Sequence, residues 1–142
     1  VQTFLPYKNF YQSARCLDRQ RLGKQRVEVF QLLNSIRIIK NGGKPKGWAN
    51  HPCRKMWQDY SNALVHYGLD VCIAWKERGY KDTCFAKIAA HYDKSLPLIY
   101  PDWLGDKDFH TSHKSMLIQK KPEWYKKIWP NTPDNLEYIW PV

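Results

Sequence analysis

The chain has 142 residues, with 23 lysines and arginines against 13 aspartates and glutamates, a formal net charge of +10. Hydrophobic residues make up 43% and aromatics 15%, which excludes a disordered basic tail and suffices for one core without covalent staples. No apolar run approaches the ~20 residues that span a bilayer and no secretory leader opens the sequence, so a soluble domain without a membrane partner is expected.

In chain order, periodicity predicts a long first helix over 13–40. Leu22, Val29, Leu33 and Ile36 share one stripe at 3.6-residue spacing, widened by Leu32 and Ile39. Arg19, Arg26 and Arg37 fall in a narrow arc beside it, and Lys24 and Glu28 are i, i+4 neighbours on its other side. Asn41-Gly42-Gly43 is a stop signal, followed by the basic loop Lys44-Pro45-Lys46-Gly47. A second helix is expected after Asn50-His51-Pro52, with Asn50 and His51 as its cap. Met56, Tyr60, Leu64, Tyr67, Val71 and Trp75 keep helical spacing to Arg78-Gly79, with Gly68 as a candidate bend. A short helix over 82–93 and a proline-rich loop over 96–105 come next. The last long helix is expected over 107–120, capped by Asp106, with one further turn opened by Pro122. The expected fold is all-α, a single compact domain of three main helices, short helical turns and a wrapped, proline-rich C-terminal tail.

The charge is patterned along this order. Residues 1–46 hold 10 lysines and arginines and 2 acids, whereas 101–142 hold 6 of each. A positive field gathered on one third of a small domain suits a polyanion, because each neutralised phosphate releases counterions. Cys16, Cys53, Cys72 and Cys84 include no Cys-x-x-Cys pair, so reduced thiols and a reducing, cytoplasmic setting are expected. His110 and His113 lie i, i+3, and His51 lies two residues from Cys53. Each is half a metal site at best; hydrogen-bonded histidines are the plainer reading, and nothing calls for a metal or organic cofactor. The stretch from Phe109 to Ser115 is polar enough to touch phosphates, or is simply a helix start.

No nucleophile elbow, glycine-rich phosphate loop, zinc-protease motif or paired carboxylates occur. Glu28 stands out by subtraction, as one of two acids in the first 46 residues, at the edge of an apolar stripe amid cations. Its plain alternative is a surface pair with Lys24.

The segment from Asp18 to Glu28, Asp-Arg-Gln-Arg-Leu-Gly-Lys-Gln-Arg-Val-Glu, resembles the first helix of the pyrimidine-dimer DNA glycosylases of the phage endonuclease V type. So do Gly47-Trp-Ala-Asn-His-Pro52, Trp75-Lys-Glu-Arg-Gly-Tyr80 and Pro122-Glu-Trp-Tyr-Lys126. The resemblance implies an all-α glycosylase coupled to an abasic-site lyase that acts on lesion-containing double-stranded DNA, as a bacterial protein or a viral one working on intracellular DNA. It implies a free N-terminal α-amine as nucleophile, here Val1, and Glu28 as its acid/base partner. Gln20 and Arg21 match DNA-contacting positions, and Trp124 and Tyr125 match a C-terminal aromatic pair that engages the lesion. Arg19, Lys24, Arg26, Asn50, His51 and Lys121 complete the expected DNA-binding set, on a monomer.

Three departures from the family pattern stand in the sequence. Val1 replaces a threonine, and about half a dozen extra residues separate the amine from the glutamate. Val27 replaces the arginine before it, leaving Arg26 or Lys24 to take its place. Two other readings stay open at this level: the same scaffold acting on another damaged base or nucleotide, and a non-catalytic basic DNA-binding module.

Overall fold

Two breaks divide what periodicity alone joins. The structure, a computed structural model, describes residues 1–44 and 51–142. Among them lie seven α-helices and no paired β-strand or sheet: α1 (Phe10–Arg15), α2 (Arg19–Lys40), α3 (Pro52–Trp57), α4 (Ser61–Glu77), α5 (Phe85–Ala89), α6 (Lys107–Lys120) and α7 (Pro122–Ile128). The all-α expectation holds. The basic loop and Asn50 fall at 44–50, of which only Lys44 is among the described residues.

The helix expected over 13–40 is two helices. The Leu17 amide closes back on the Ala14 carbonyl at 3.1 Å, and Asp18 turns extended (φ −63°, ψ 159°) to cap α2. Distant groups satisfy the break: the Asp18 amide donates to the Tyr125 hydroxyl at 2.8 Å, and Arg78 donates to the Arg15 and Leu17 carbonyls at 2.8 and 2.6 Å. A helix end buried in this way needs partners for its free backbone groups, and here they come from elements 60 residues or more away.

The helix expected from Pro52 to Gly79 is likewise α3 and α4. The Gln58 and Tyr60 amides reach the Lys55 and Trp57 carbonyls at 3.3 and 2.9 Å, tight closures that end α3 before Ser61 opens α4. Gly68 does not interrupt α4. A Cβ there would sit 2.6 Å from Val29 Cγ1 and 3.0 Å from Ile88 Cγ2, so the glycine lets α4 approach α2 and α5. The short helix over 82–93 shrinks to α5, which Asp82 starts by accepting from the Phe85 amide at 2.8 Å. α6 begins on the Asp106 cap and ends at Lys120, as the sequence predicts. Gly42 (φ +80°) follows α2 and supplies the left-handed turn that its stop signal requires.

α2 and α4 form the central pair. Leu22, Val29, Leu32, Leu33 and Ile36 of α2 share one buried cluster with Leu64, Val65, Tyr67, Val71 and Cys72 of α4. The C-terminal tail wraps this body, held by Leu136 N to Ser115 Oγ at 3.0 Å and Ile139 N to Ser112 Oγ at 3.1 Å. Because the α2–α4 contact has no room at Gly68, Gly68→Ala is expected to destabilise the domain by about 1–3 kcal/mol through overpacking, read as a lower melting temperature. A melting temperature equal to or above that of the unsubstituted chain contradicts this packing.

Candidate active site

Residues 2–5 run extended into the protein without joining a sheet. Thr3, Phe4 and Leu5 are buried, so their backbone groups need partners that no ladder supplies. Side chains supply them. Gln25 of α2 works from both ends of its amide, donating from Nε2 to the Gln2 carbonyl at 2.8 Å and accepting the Phe4 amide on Oε1 at 2.8 Å. Tyr67 of α4 donates to the Phe4 carbonyl at 2.8 Å, with a second contact of 2.7 Å to Gln25 Oε1. Tyr138 of the tail donates to the Thr3 carbonyl at 2.6 Å, and Trp57 of α3 donates to the Thr3 hydroxyl at 3.0 Å.

Two histidines of α6 hold the next residue. The Leu5 amide donates to His113 Nδ1 at 2.9 Å, and His110 Nδ1 meets the Leu5 carbonyl at 2.7 Å. His110 Nε2 accepts the Gly105 amide at 2.9 Å, which assigns its proton to Nδ1. The rings are therefore neutral and of opposite tautomer. Burial pushes the pKa of His113 well below that of a free imidazole, and burial lowers that of His110 too. The pair holds backbone, a use the metal and phosphate readings of the sequence did not contain.

This clamp sets the strand's first residues against α2. The Gln2 amide donates to Glu28 Oε2 at 3.3 Å. Val1 and Glu28 line one recess of about 290 Å³, with Gln2, Phe4, Gln20, Arg21, Lys24 and Lys120. Glu28 is the only carboxylate among these lining residues. It forms no ion pair among the described residues, so the plain alternative of a Lys24–Glu28 surface pair is absent. Arg21 leans on Asp18 at 3.2 Å. Burial would raise the Asp18 carboxyl, but the Tyr125 hydroxyl and Arg21 outweigh burial and hold its pKa below the ordinary carboxylate value.

Gln20 and Lys24 also line a second recess, of about 520 Å³, together with Arg19, Gly23, Trp75 and Lys121. Its floor is tight, since a Cβ on Gly23 would lie 2.9 Å from Trp75 Cη2. Trp75 stacks on Tyr80 with ring centroids 4.3 Å apart, and Arg19 lies over Tyr80 at 5.6 Å.

The expected site residues thus divide. Val1, Gln20, Arg21, Lys24 and Glu28 come together in the first recess, and Arg19 and Lys121 border the second. Arg26 is turned away: it pairs with Asp82 at 2.5 Å and lies over Trp75 at 4.6 Å, so of Arg26 and Lys24 it is Lys24 that lines the recess, beside Arg21 and Lys120. Tyr125 is fully buried, exchanging hydrogen bonds with the Asp18 amide and carboxylate, a structural anchor without an outward face for stacking. Its neighbour Trp124 is exposed, tethered through Nε1 to the Cys16 carbonyl at 3.0 Å.

His51 caps α3 by accepting the Cys53 amide on Nδ1 at 3.1 Å, and its ring meets Trp140 edge-on at 5.2 Å. Its pKa is lowered by burial and by the positive charge of the chain's α-amine. Asn50 lies outside the described residues. Sequence reading missed Lys120 as a lining residue and Gln25, Tyr67 and Tyr138 as builders of the site. Gln25 alone left a signal, a polar residue at a position of α2 that the apolar stripe buries.

The fold and this recess define a basic helical protein that sets an extended N-terminal strand against a single carboxylate flanked by cations. The chain belongs to the pyrimidine dimer DNA glycosylase family, whose family model matches residues 1–88. That span holds the strand, α1 to α4 and most of α5. The histidine pair, Lys120, Lys121, Trp124 and Tyr125 lie beyond it. No curated protein and no solved structure matches the chain.

The histidine clamp makes a pH prediction. Both imidazoles have folded-state pKa values below the unfolded value of ~6.5. The unfolded chain therefore binds protons that the folded chain refuses, so the clamp's stabilisation is complete above about pH 6.5 and falls as the pH drops below it. Denaturant melts from pH 7.5 to 5 are expected to show falling stability, with a limiting slope of about 1.4 kcal/mol per pH unit for each histidine. His113→Gln is expected to flatten part of that slope. A stability profile flat over this interval contradicts the neutral clamp.

Proposed function

We propose that this protein is a DNA glycosylase with abasic-site lyase activity, acting as a monomer on UV-induced pyrimidine dimers in intracellular double-stranded DNA. The nucleophile is the α-amine of Val1 and the acid/base group is Glu28. The observation that carries this reading is the 3.3 Å bond from the Gln2 amide to Glu28, made where Val1 and Glu28 share a cation-rimmed recess. Membership of the glycosylase family supports the substrate class.

The chemistry follows from the groups present. An α-amine in its neutral form has the lone pair a nucleophile needs, without a lysine buried for the purpose. Its lone pair attacks C1′ of the deoxyribose while the glycosidic bond breaks and its electron pair leaves with the base. Opening of the sugar ring, with a proton delivered to O4′, gives an imine between C1′ and the amine. Loss of a C2′ proton to Glu28 then expels the 3′ oxygen with its phosphate, and water releases the unsaturated aldehyde. Glu28 takes up the proton that the attacking nitrogen sheds, delivers it to O4′, and is then ionised to accept the one from C2′. Lys24, Lys120 and Lys121, with Arg19 and Gln20, provide a positive rim for the backbone. Trp124, on the exposed side of α7, offers an aromatic face to the distorted step.

Borohydride reduction in the presence of dimer-containing duplex tests the reading. A covalent adduct mapped to residue 1 is expected, and it should vanish on N-acetylation. Glu28→Gln is expected to reduce cleavage by at least about a hundredfold while binding stays within about tenfold, as for loss of a proton-transfer group. Absence of both adduct and cleavage overturns the proposal and leaves a basic DNA-binding domain, whereas cleavage that survives acetylation overturns the role of the α-amine. Lys120→Ala is expected to weaken binding and lower the slope of log affinity against log salt by about 1. An unchanged slope removes Lys120 from the DNA face.

A further inference from the structure

We infer that Gln25 is a positioning residue for the reaction, setting the register in which the N-terminal strand presents its amine to Glu28; the inference rests on the function proposed above. Gln25 lies one turn before Glu28 on α2 and is buried. Its side chain substitutes for a neighbouring strand: Nε2 donates to the Gln2 carbonyl and Oε1 accepts the Phe4 amide, both at 2.8 Å. These are the two groups an adjacent strand would pair, and one planar amide meets both at once. Tyr67 buttresses that orientation, its one hydroxyl proton shared between Gln25 Oε1 at 2.7 Å and the Phe4 carbonyl at 2.8 Å.

The geometry couples Gln25 to the chemistry through rigid parts. Gln25 and Glu28 stand on one helix, so their separation is fixed. Gln2 is bonded to both, its carbonyl to Gln25 and its amide to Glu28. A strand that slips by one residue presents a carbonyl where Gln25 offers a carbonyl oxygen, and both bonds are lost. The residue thus selects one register, and with it the distance from the amine to the recess floor. The clamp at Leu5 and the tail's hold on Thr3 fasten the strand further along, but neither touches Gln2.

The test compares Gln25→Met, which keeps the volume and removes both hydrogen bonds, with the unsubstituted chain. The measured quantities are the rate of borohydride trapping on an abasic-site duplex, the residue carrying the adduct, and the affinity for the same duplex. Binding is expected to change less than about threefold while trapping at residue 1 slows at least tenfold, a size typical of a misplaced nucleophile. Part of the remaining adduct should move to Lys24 or Lys120, which line the same recess. Trapping at residue 1 within about threefold of the unsubstituted rate overturns the inference, as does a loss of binding that matches the loss of trapping. Should Gln25→Met fail to fold, Tyr67→Phe decides on the same readouts: slower trapping at residue 1 with binding retained upholds the inference, and an unchanged rate overturns it. Lack of any residue-1 adduct in the unsubstituted chain is a failure of the proposed function itself, and it is seen before any variant is made.

Discussion

The whole arrangement depends on one constraint, that buried backbone must be hydrogen-bonded. A strand driven into a helical core has no neighbour strand, so its amides and carbonyls can be satisfied only by side chains aimed at them. Glu28, Gln25, Tyr67, Tyr138, His110 and His113 do this along residues 2–5. Because they come from α2, α4, α6 and the tail, the strand's position is agreed between elements that are far apart in the chain. A single such bond contributes little net stability, about 0.5–1.5 kcal/mol, but an orphaned buried partner costs about 1–3 kcal/mol. The network is therefore more effective at excluding other strand positions than at adding stability.

That exclusion links the fold to the chemistry. An N-terminal segment ordinarily frays, and a frayed amine would meet a carboxylate only in passing. Here residues 3–5 are buried and the Gln2 amide is hydrogen-bonded to the carboxylate on the central helix, so under the proposed function the approach of amine to carboxylate is set before any ligand arrives. The same logic explains the tail. Tyr138 reaches the Thr3 carbonyl and Trp140 packs on His51, so the two ends of the chain close around the same region.

Much of this was legible in the sequence. The stripe on α2, the Asp106 cap, the end of α6 and the stop at Gly42 follow from local rules, and Glu28 stands out in the sequence as nearly alone among cations. The breaks at Asp18 and Gln58 were not legible, because their causes are tertiary: Tyr125 and Arg78 satisfy the first from across the molecule. The motif matches Tyr125 to an aromatic pair that engages the lesion, yet motif spacing carries no information on which way a ring turns. Arg26 and Lys24 were equivalent cations in sequence, and only the partner Asp82 and the face of Trp75 separate them. Hydrogen-bonded histidines are the plainer sequence reading of His110 and His113, but their partner is not legible there, since the backbone they hold lies more than 100 residues earlier.

The claim under all of this is that residues 2–5 are held as firmly as the core. Amide hydrogen exchange at Phe4 and Leu5 measures it most directly. The account predicts protection at both amides approaching that of the buried amides of α2 and α4, released only by global unfolding. Exchange at the rate of a frayed terminus, while α2 stays protected, would contradict it.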